Sequence, residues 1–414
     1  MKIFNTEIEG EKTPYLLSAW LLIYLCGVLA IGLTGCSSAG SEGRSTGSEG
    51  TSAGLKGTPE EQGQKSVMDQ HRESLSQGQS NVDHLPSGYG ISQEYPGDVG
   101  IENHPSVVFF EDFEGGTLED LEQEWGYMSN RDGKVMRFSP DKPQATGGER
   151  SLQMTATRGE NEGGELYKTF DPGWNQIWLR FYTWFAEDHG NYHHFVALRG
   201  FNDPLPYPGG GAGQLAENHF SVTIEPSVHE VNKPETRRHD PPGIWSFYAY
   251  WPEMHSWQTH EGEPDGRPNP YYGNSFQPLK PVTVPRGRWV AVEMMLKLNS
   301  VADQQDGELA LWIDGEPIVH YAPGLPDGYW AADRFRNDPD HPDAAPFEGF
   351  RWRHDMDVRI NVLRLQHYVS GRAFDQTEAF ASENPDTRVN TSQATVRFDN
   401  VIMATEYIGP AVSQ

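Results

Sequence analysis

Cysteine is nearly missing from this chain. Of 414 residues only Cys26 and Cys36 carry a thiol, and both lie close to the N-terminus. That scarcity excludes a disulfide framework, a zinc–thiolate site and a cysteine nucleophile in the bulk of the sequence. Positive charge is scarce too: 32 Lys and Arg stand against 59 Asp and Glu, for a net charge of −27. Residues 1–35 carry −1 of this, residues 36–104 carry −6 and residues 105–414 carry −20. A domain that acidic is unsuited to nucleic acid, whose phosphates need a basic surface. It also repels other polyanions at long range. Screening limits the repulsion, because the Debye length at physiological salt is about 8 Å, so a local cluster of cations can still hold an acidic sugar. Long helix-period patterns are missing as well, and only residues 117–124 fit one short helix. The glycine-rich stretch 209–213 follows no strand and opens no helix, which removes a phosphate loop from consideration.

One hydrophobic run stands out. Residues 16–31 are apolar and lead into Leu33-Thr34-Gly35-Cys36. This resembles a bacterial lipoprotein signal with its lipobox, which implies a signal peptide over 1–35 and lipidation of Cys36. It also implies a place in the bacterial cell envelope, periplasmic or surface, with membrane contact only through the lipid. The flank departs from the pattern: Lys2 and Lys12 face Glu7, Glu9 and Glu11, whereas signal peptides favour a positive start. The alternative is an uncleaved anchor, since about 20 apolar residues can span a bilayer. Either reading exports the rest of the chain. Residues 36–104 are rich in Ser, Gly, Gln and Glu, with no Phe, Trp or Tyr before Tyr89. Such a stretch cannot bury enough apolar area to offset its ordering entropy, so a flexible tether is expected. Eleven of the twelve tryptophans follow, within a folded domain expected over 105–410.

That domain reads as all-β. Strands are expected at 107–113, 135–138, 151–157, 165–170, 177–185, 193–198, 219–224, 244–251, 288–298, 308–313, 358–368 and 394–407. A dozen strands punctuated by Gly, Pro and Asp suggest a sandwich or jelly roll. The connections 200–217, 226–242, 252–282 and 325–356 are long, and loops of that length usually form functional rims. Residues 177–185 alternate an apolar set, Ile177 to Phe185, with Trp178, Arg180, Tyr182 and Trp184. Residues 288–299 behave similarly, with Trp289, Glu293, Lys297 and Asn299 on the second face. An aromatic and polar face of this kind suits a carbohydrate groove, although Glu293 and Lys297 also fit cross-strand charges. In GIWSFYAYWPEM, residues two apart share a face, so Ser246, Tyr248 and Tyr250 oppose Trp245, Phe247 and Ala249. Tyrosine favours sheets in general, so the pair alone is equally at home in a structural strand.

Three stretches, RGRWVAVEMMLKLNS, DGELALWIDGE and FDNVIMATEYIGP, bring a family into view. Together they resemble the concanavalin A-like jelly roll of polysaccharide lyases, most of all family 14-type alginate lyases and glucuronan lyases. The resemblance covers about residues 106–410. It implies a β-elimination on a uronate-containing polysaccharide, no cofactor for the chemistry and a monomer. On the family pattern, Tyr248 and Tyr250 match the catalytic tyrosine pair, and Ser221 in HFSVT matches a serine. Thr223 stands where the family has an arginine, and His194 in HHFVALRG stands where it has a lysine. The departures leave Arg180, on a neighbouring strand by its alternation, to supply the cation. A tyrosine with a pKa of about 10 needs such a cation to act as a base. Tyr182, Trp184, His193 and His367 would contact substrate. His193 and His194 also fit a plain strand-end pair. Related jelly rolls hold a structural Ca²⁺ between the first and last strands, which points to Glu114 and Asp399, with exposed acids as the alternative. The Glu-x-Asp-x-x-Glu strand of jelly-roll glucanases is absent, so paired-carboxylate hydrolysis lacks its residues. A non-catalytic, lectin-like glycan-binding lipoprotein remains the second reading.

Overall fold

A computed structural model describes residues 82–202, 213–229, 239–257 and 271–414. Every described residue belongs to one compact unit within residues 59–414. The expected signal peptide, Cys36, the expected tether up to residue 81 and residues 209–212 lie outside the described residues. So do parts of the long connections.

The chain starts with β1 (Val107–Glu111), α1 (Leu118–Trp125), β2 (Tyr127–Ser129), β3 (Met136–Ser139), β4 (Ser151–Thr157), β5 (Gly163–Trp174) and β6 (Gln176–Phe185). It continues with β7 (Val196–Phe201), β8 (His219–Ser227), β9 (Ile244–Tyr250), β10 (Asn274–Phe276), β11 (Trp289–Lys297), β12 (Glu308–Ile313) and β13 (Glu316–Tyr321). β14 (Asp327–Ala331), β15 (Arg334–Arg336), β16 (Ala345–Pro346), β17 (Ile360–Tyr368), α2 (Gly371–Glu383) and β18 (Gln393–Ala404) complete it. An eight-stranded sheet runs β13-β12-β11-β6-β18-β4-β3, with β1 also paired to β18. A ten-stranded sheet runs β16-β14-β15-β10-β9-β8-β7-β17-β5-β2.

The core lies between them. From the eight-stranded sheet Ile177, Leu179, Phe181 and Phe185 enter it, and from the ten-stranded sheet Phe220, Val222, Ile224, Trp245, Phe247 and Ala249. Burying a large apolar side chain contributes about 1.5–3 kcal/mol, so alternation over this many strands commits the chain to two stacked sheets. The expected all-β jelly-roll sandwich is what forms. All twelve expected strands are present, with ends displaced by a few residues, and the six further strands are mostly short.

The helices are less well foreseen. α1 falls where expected, with the Thr117 hydroxyl accepting from Asp120 N and the Asp120 carboxylate accepting from Thr117 N. α2 was not expected. Ser370 caps it, and Ala373, Phe374, Thr377 and Phe380 bury one face at helical spacing.

Two expectations are corrected on the outer side of the eight-stranded sheet. The tether was read as reaching residue 104, yet residues 91–103 form three short 3₁₀ turns that bury Ile91, Asp98 and Ile101. The face bearing Trp178, Arg180, Tyr182 and Trp184 was read as a groove, but it is a second packed layer. Ile91, Ile101 and Ile408 pack with Trp178, and Ala411 packs against Tyr182. Glu293 accepts from Ile408 N and Gly409 N at 2.8 Å each, and the Tyr182 hydroxyl accepts from Ala411 N at 2.8 Å. Trp312 Nε1 donates to Pro86 O at 2.7 Å. Arg180 is wholly buried and donates to Asp98 Oδ2 at 2.6 Å. Trp184 lies beneath the Arg397 guanidinium, 4.0 Å from the ring centroid. An aromatic-and-polar alternation looks the same in sequence whether sugar or the chain's own ends cover it. Lys297 and Glu308, 2.6 Å apart, form the cross-strand charge pair that was the alternative for that strand.

Candidate active site

The other sheet leaves its outer face to a different set of side chains. On β9, Trp245, Phe247 and Ala249 are buried in the core, so Ser246, Tyr248 and Tyr250 point away from it, as their spacing requires. The two phenolic oxygens lie 3.4 Å apart with the rings perpendicular. Gly273 packs directly against both rings: a Cβ there would lie 2.7 Å from each. Only glycine lets the backbone approach so closely.

Strand register builds rows across this face. Ser221 on β8 stands opposite Tyr250, and Arg199 on β7 stands opposite Ser221. Arg199 Nε donates to Ser221 Oγ at 3.2 Å, and both residues are buried. The next row is Ala197, Thr223 and Tyr248, and the one after pairs Glu225 with Ser246. Further along, Arg364 on β17 is paired with Glu165 of β5, and Gln366 Nε2 donates to the same carboxylate at 3.0 Å.

His194 enters just before β7. A bridge to the end of β17 fixes its backbone: His194 N donates to Tyr368 O at 3.2 Å and Tyr368 N to His194 O at 3.1 Å. Its ring stacks on His193 at 4.2 Å and near Tyr248 at 5.7 Å, and its Nδ1 lies 2.9 Å from Glu225 Oε2. These side chains border a cavity of about 490 Å³, whose lining also includes Asp333, Arg334 and Arg372.

Electrostatics separate the groups. Burial, helped by the neighbouring Tyr250, pushes the Tyr248 phenol well above its ordinary value, so it stays protonated at any physiological pH. Burial pushes Glu225 up, and the charge and hydrogen bond of His194 pull it back. His193 is lowered to about 4 by burial and by His194 and Arg372, so it is neutral at pH 7. The face thus holds a phenol that can donate, an imidazole bonded to a carboxylate, and an arginine tied to a hydroxyl.

Of the expected site residues, Tyr248, Tyr250, His194, His193 and Ser221 share this region. Arg180, Tyr182 and Trp184 do not, since they belong to the opposite sheet and lie under the chain ends. His367 is corrected too, because it points into the core. Its Nε2 donates to Ala394 O at 2.9 Å, its Nδ1 accepts from the Tyr192 hydroxyl at 2.6 Å, and burial lowers it to about 3. Glu114, just past β1, and Asp399, on the interior strand β18 of the eight-stranded sheet, lie close enough for their charges to interact. Glu114 Oε1 accepts from Glu149 N and Arg150 N, and Asp399 Oδ2 is buried with no partner among the described residues. Among the described residues no three Asp, Glu, His or Cys side chains group as metal ligands.

Two members of the site escaped the sequence reading. Arg199 sits one residue past the expected end of its strand, and Glu225 one past the end of the next. Both continue the alternation already visible, Ala197–Arg199 and Ser221–Thr223–Glu225.

No family model matches the chain, and no curated protein matches it. Solved structures do resemble it. The family 14 alginate lyase of Aplysia kurodai is 13% identical, with a TM-score of 0.46 over 73% of this chain and 100% of that one. Alginate lyase vAL-1 from a Chlorella virus is 11% identical, with a TM-score of 0.41 over 72% and 100%. The endo-β-1,4-glucuronan lyase of Trichoderma reesei is 14% identical, with a TM-score of 0.35 over 73% and 96%. At these identities and TM-scores the likeness assigns no activity and no residue.

Proposed function

We propose that the chain is an exported, lipid-tethered polysaccharide lyase that cleaves a uronate-containing glycan by β-elimination on the outer face of the ten-stranded sheet. One observation carries this reading: two phenols 3.4 Å apart, of which the one held protonated, Tyr248, lines a cavity of about 490 Å³ together with His194. Elimination removes the proton at C5, forms the C4–C5 double bond and expels O4, which needs a proton as it leaves. Tyr248 is the donor to O4, because burial keeps its hydrogen in place. Tyr250, one hydrogen-bond length away, completes the proton-transfer pair. The uronate carboxylate must be neutralised for C5 to acidify, and Arg199, in the row of Tyr250, takes the part first given to Arg180. Ser221 orients Arg199 through the bond at 3.2 Å.

Purified protein incubated with alginate, glucuronan and other uronate polymers is expected to generate the ultraviolet absorbance of a C4–C5 double bond. Absence of unsaturated product from every uronate polymer would sink the reading. Glycan retention without cleavage would favour the lectin-like alternative. Lipidation of Cys36, and with it an envelope location, is tested by mass spectrometry of the membrane fraction.

Calcium beside β18 is proposed separately, on the buried Asp399 Oδ2, unpartnered among the described residues, with Glu114 and Asp112 near enough to raise its pKa. Such a cation takes six to eight oxygens, so backbone carbonyls and water would complete the shell. Saturating calcium at about 100 times its Kd would stabilise the fold by about 2.7 kcal/mol. A melting temperature several degrees higher in calcium than in chelator is therefore expected, and equal values would end the proposal.

A further inference from the structure

We infer that Glu225 is a positioning residue that makes His194 the base for the C5 proton, by fixing its hydrogen on Nδ1 and leaving the Nε2 lone pair for substrate. This rests on the lyase reading above. It changes the part played by His194 from neutralising charge to accepting a proton.

A carboxylate can only accept, so a neutral imidazole bonded to it through Nδ1 must carry its hydrogen there. His194 Nδ1 and Glu225 Oε2 are 2.9 Å apart, with Glu225 only 13% exposed in its side chain. No other ion pair to Glu225 occurs among the described residues, so its charge is directed at this ring. The ring is held rather than free: its backbone is bridged to Tyr368, and it stacks with His193, Tyr248 and Tyr368. The Glu225 backbone is pinned in turn, its carbonyl accepting from Ser246 Oγ at 2.9 Å. Among the described residues nothing is bonded to Nε2.

Other ionisable groups face this pair from each packed element. Tyr248 lies on β9, Tyr368 at the end of β17, His193 alongside and Arg372 at the start of α2, and Asp333 with Arg334 also line the cavity. Among the described residues only Glu225 bonds the ring directly.

The step balances. The C5–H bond breaks and Nε2 gains the proton, giving an imidazolium that Glu225 stabilises. The C–H electrons become the C4–C5 double bond, the C4–O4 bond breaks, and O4 takes the phenolic proton of Tyr248. His194 then loses its proton to water, and the phenol regains one from water.

The test uses the full chain, with Glu225→Gln and Glu225→Asp beside the wild type. In Glu225→Gln, kcat/KM is expected to fall about 10–100-fold, part of the 10²–10⁴ that a positioned base contributes. The acid limb of its pH profile should move to lower pH, because the imidazolium has lost its anionic partner. Glu225→Asp should keep the limb in place and recover part of the rate. Nitrogen NMR of wild-type His194 should show hydrogen on Nδ1 above the limb. A fall in rate with an unmoved acid limb, or a hydrogen on Nε2, overturns the inference. An active wild type with hydrogen on Nε2 defeats the dyad alone, whereas a wild type without unsaturated product defeats the lyase reading and the base role together.

Discussion

Replacing Tyr248 with phenylalanine is expected to lower kcat/KM on a cleavable uronate polymer by about 10²–10⁴-fold, the range that a positioned acid or base contributes. Tyr250→Phe should do nearly as much, since the hydroxyls lie 3.4 Å apart and serve one transfer. The double variant should be little worse than either single one, because groups that act as a unit lose their effect together. Stability should move far less. Neither ring is stripped from its packing, and a net hydrogen bond is worth about 0.5–1.5 kcal/mol. Kinetics and melting curves on the three variants decide the matter. Activity within twofold of wild type in both single variants would remove the phenols from the chemistry. Equal multiplicative losses in the double variant would show two independent roles.

The pair was legible because a period of two is a strong constraint. Once Trp245, Phe247 and Ala249 are assigned to the core, Ser246, Tyr248 and Tyr250 have nowhere else to point. Ser221 came instead from the family resemblance, and Arg199 and Glu225 were missed because the expected strands ended one residue too early, although the alternation runs on through both. The rule also misled. Residues 177–185 alternate as cleanly as β9, and their second face carries Trp, Arg and Tyr, yet that face is closed by residues 85–101 and 407–411. Periodicity tells which residues leave the core. It does not tell what they meet, because the covering segments are far away in sequence: 82 residues separate Asp98 from Arg180. His367 shows the remaining gap. Its strand was expected, but which side it faced depends on register with β5 and β7, which sequence alone does not supply.

Arg180 offers the sharpest contrast between a catalytic and a structural arginine. Its side chain and that of Asp98 are both wholly buried, 2.6 Å apart, and Asn400 Nδ2 donates to the same Asp98 oxygen at 2.8 Å. Arg180→Met leaves the Asp98 carboxylate buried without its cation and should destabilise the fold by about 3–5 kcal/mol. The pair itself need not be strongly stabilising. Among the described residues Asp98 Oδ1, Arg180 Nε and Arg180 Nη1 all lack a partner, so much of the desolvation cost goes unreturned. Arg180→Met with Asp98→Leu should therefore recover most of the loss, since apolar replacement of both partners of a buried pair is often neutral. Because the pair sits on the eight-stranded sheet, turnover per folded molecule should match wild type in the double variant. Denaturant melts give the first comparison and kcat on folded protein the second. A stable double variant that no longer turns over would return Arg180 to the chemistry and displace Arg199. A double variant as unstable as the single one would mean that charge rather than bulk is what the segment around Asp98 requires of the sheet beneath it.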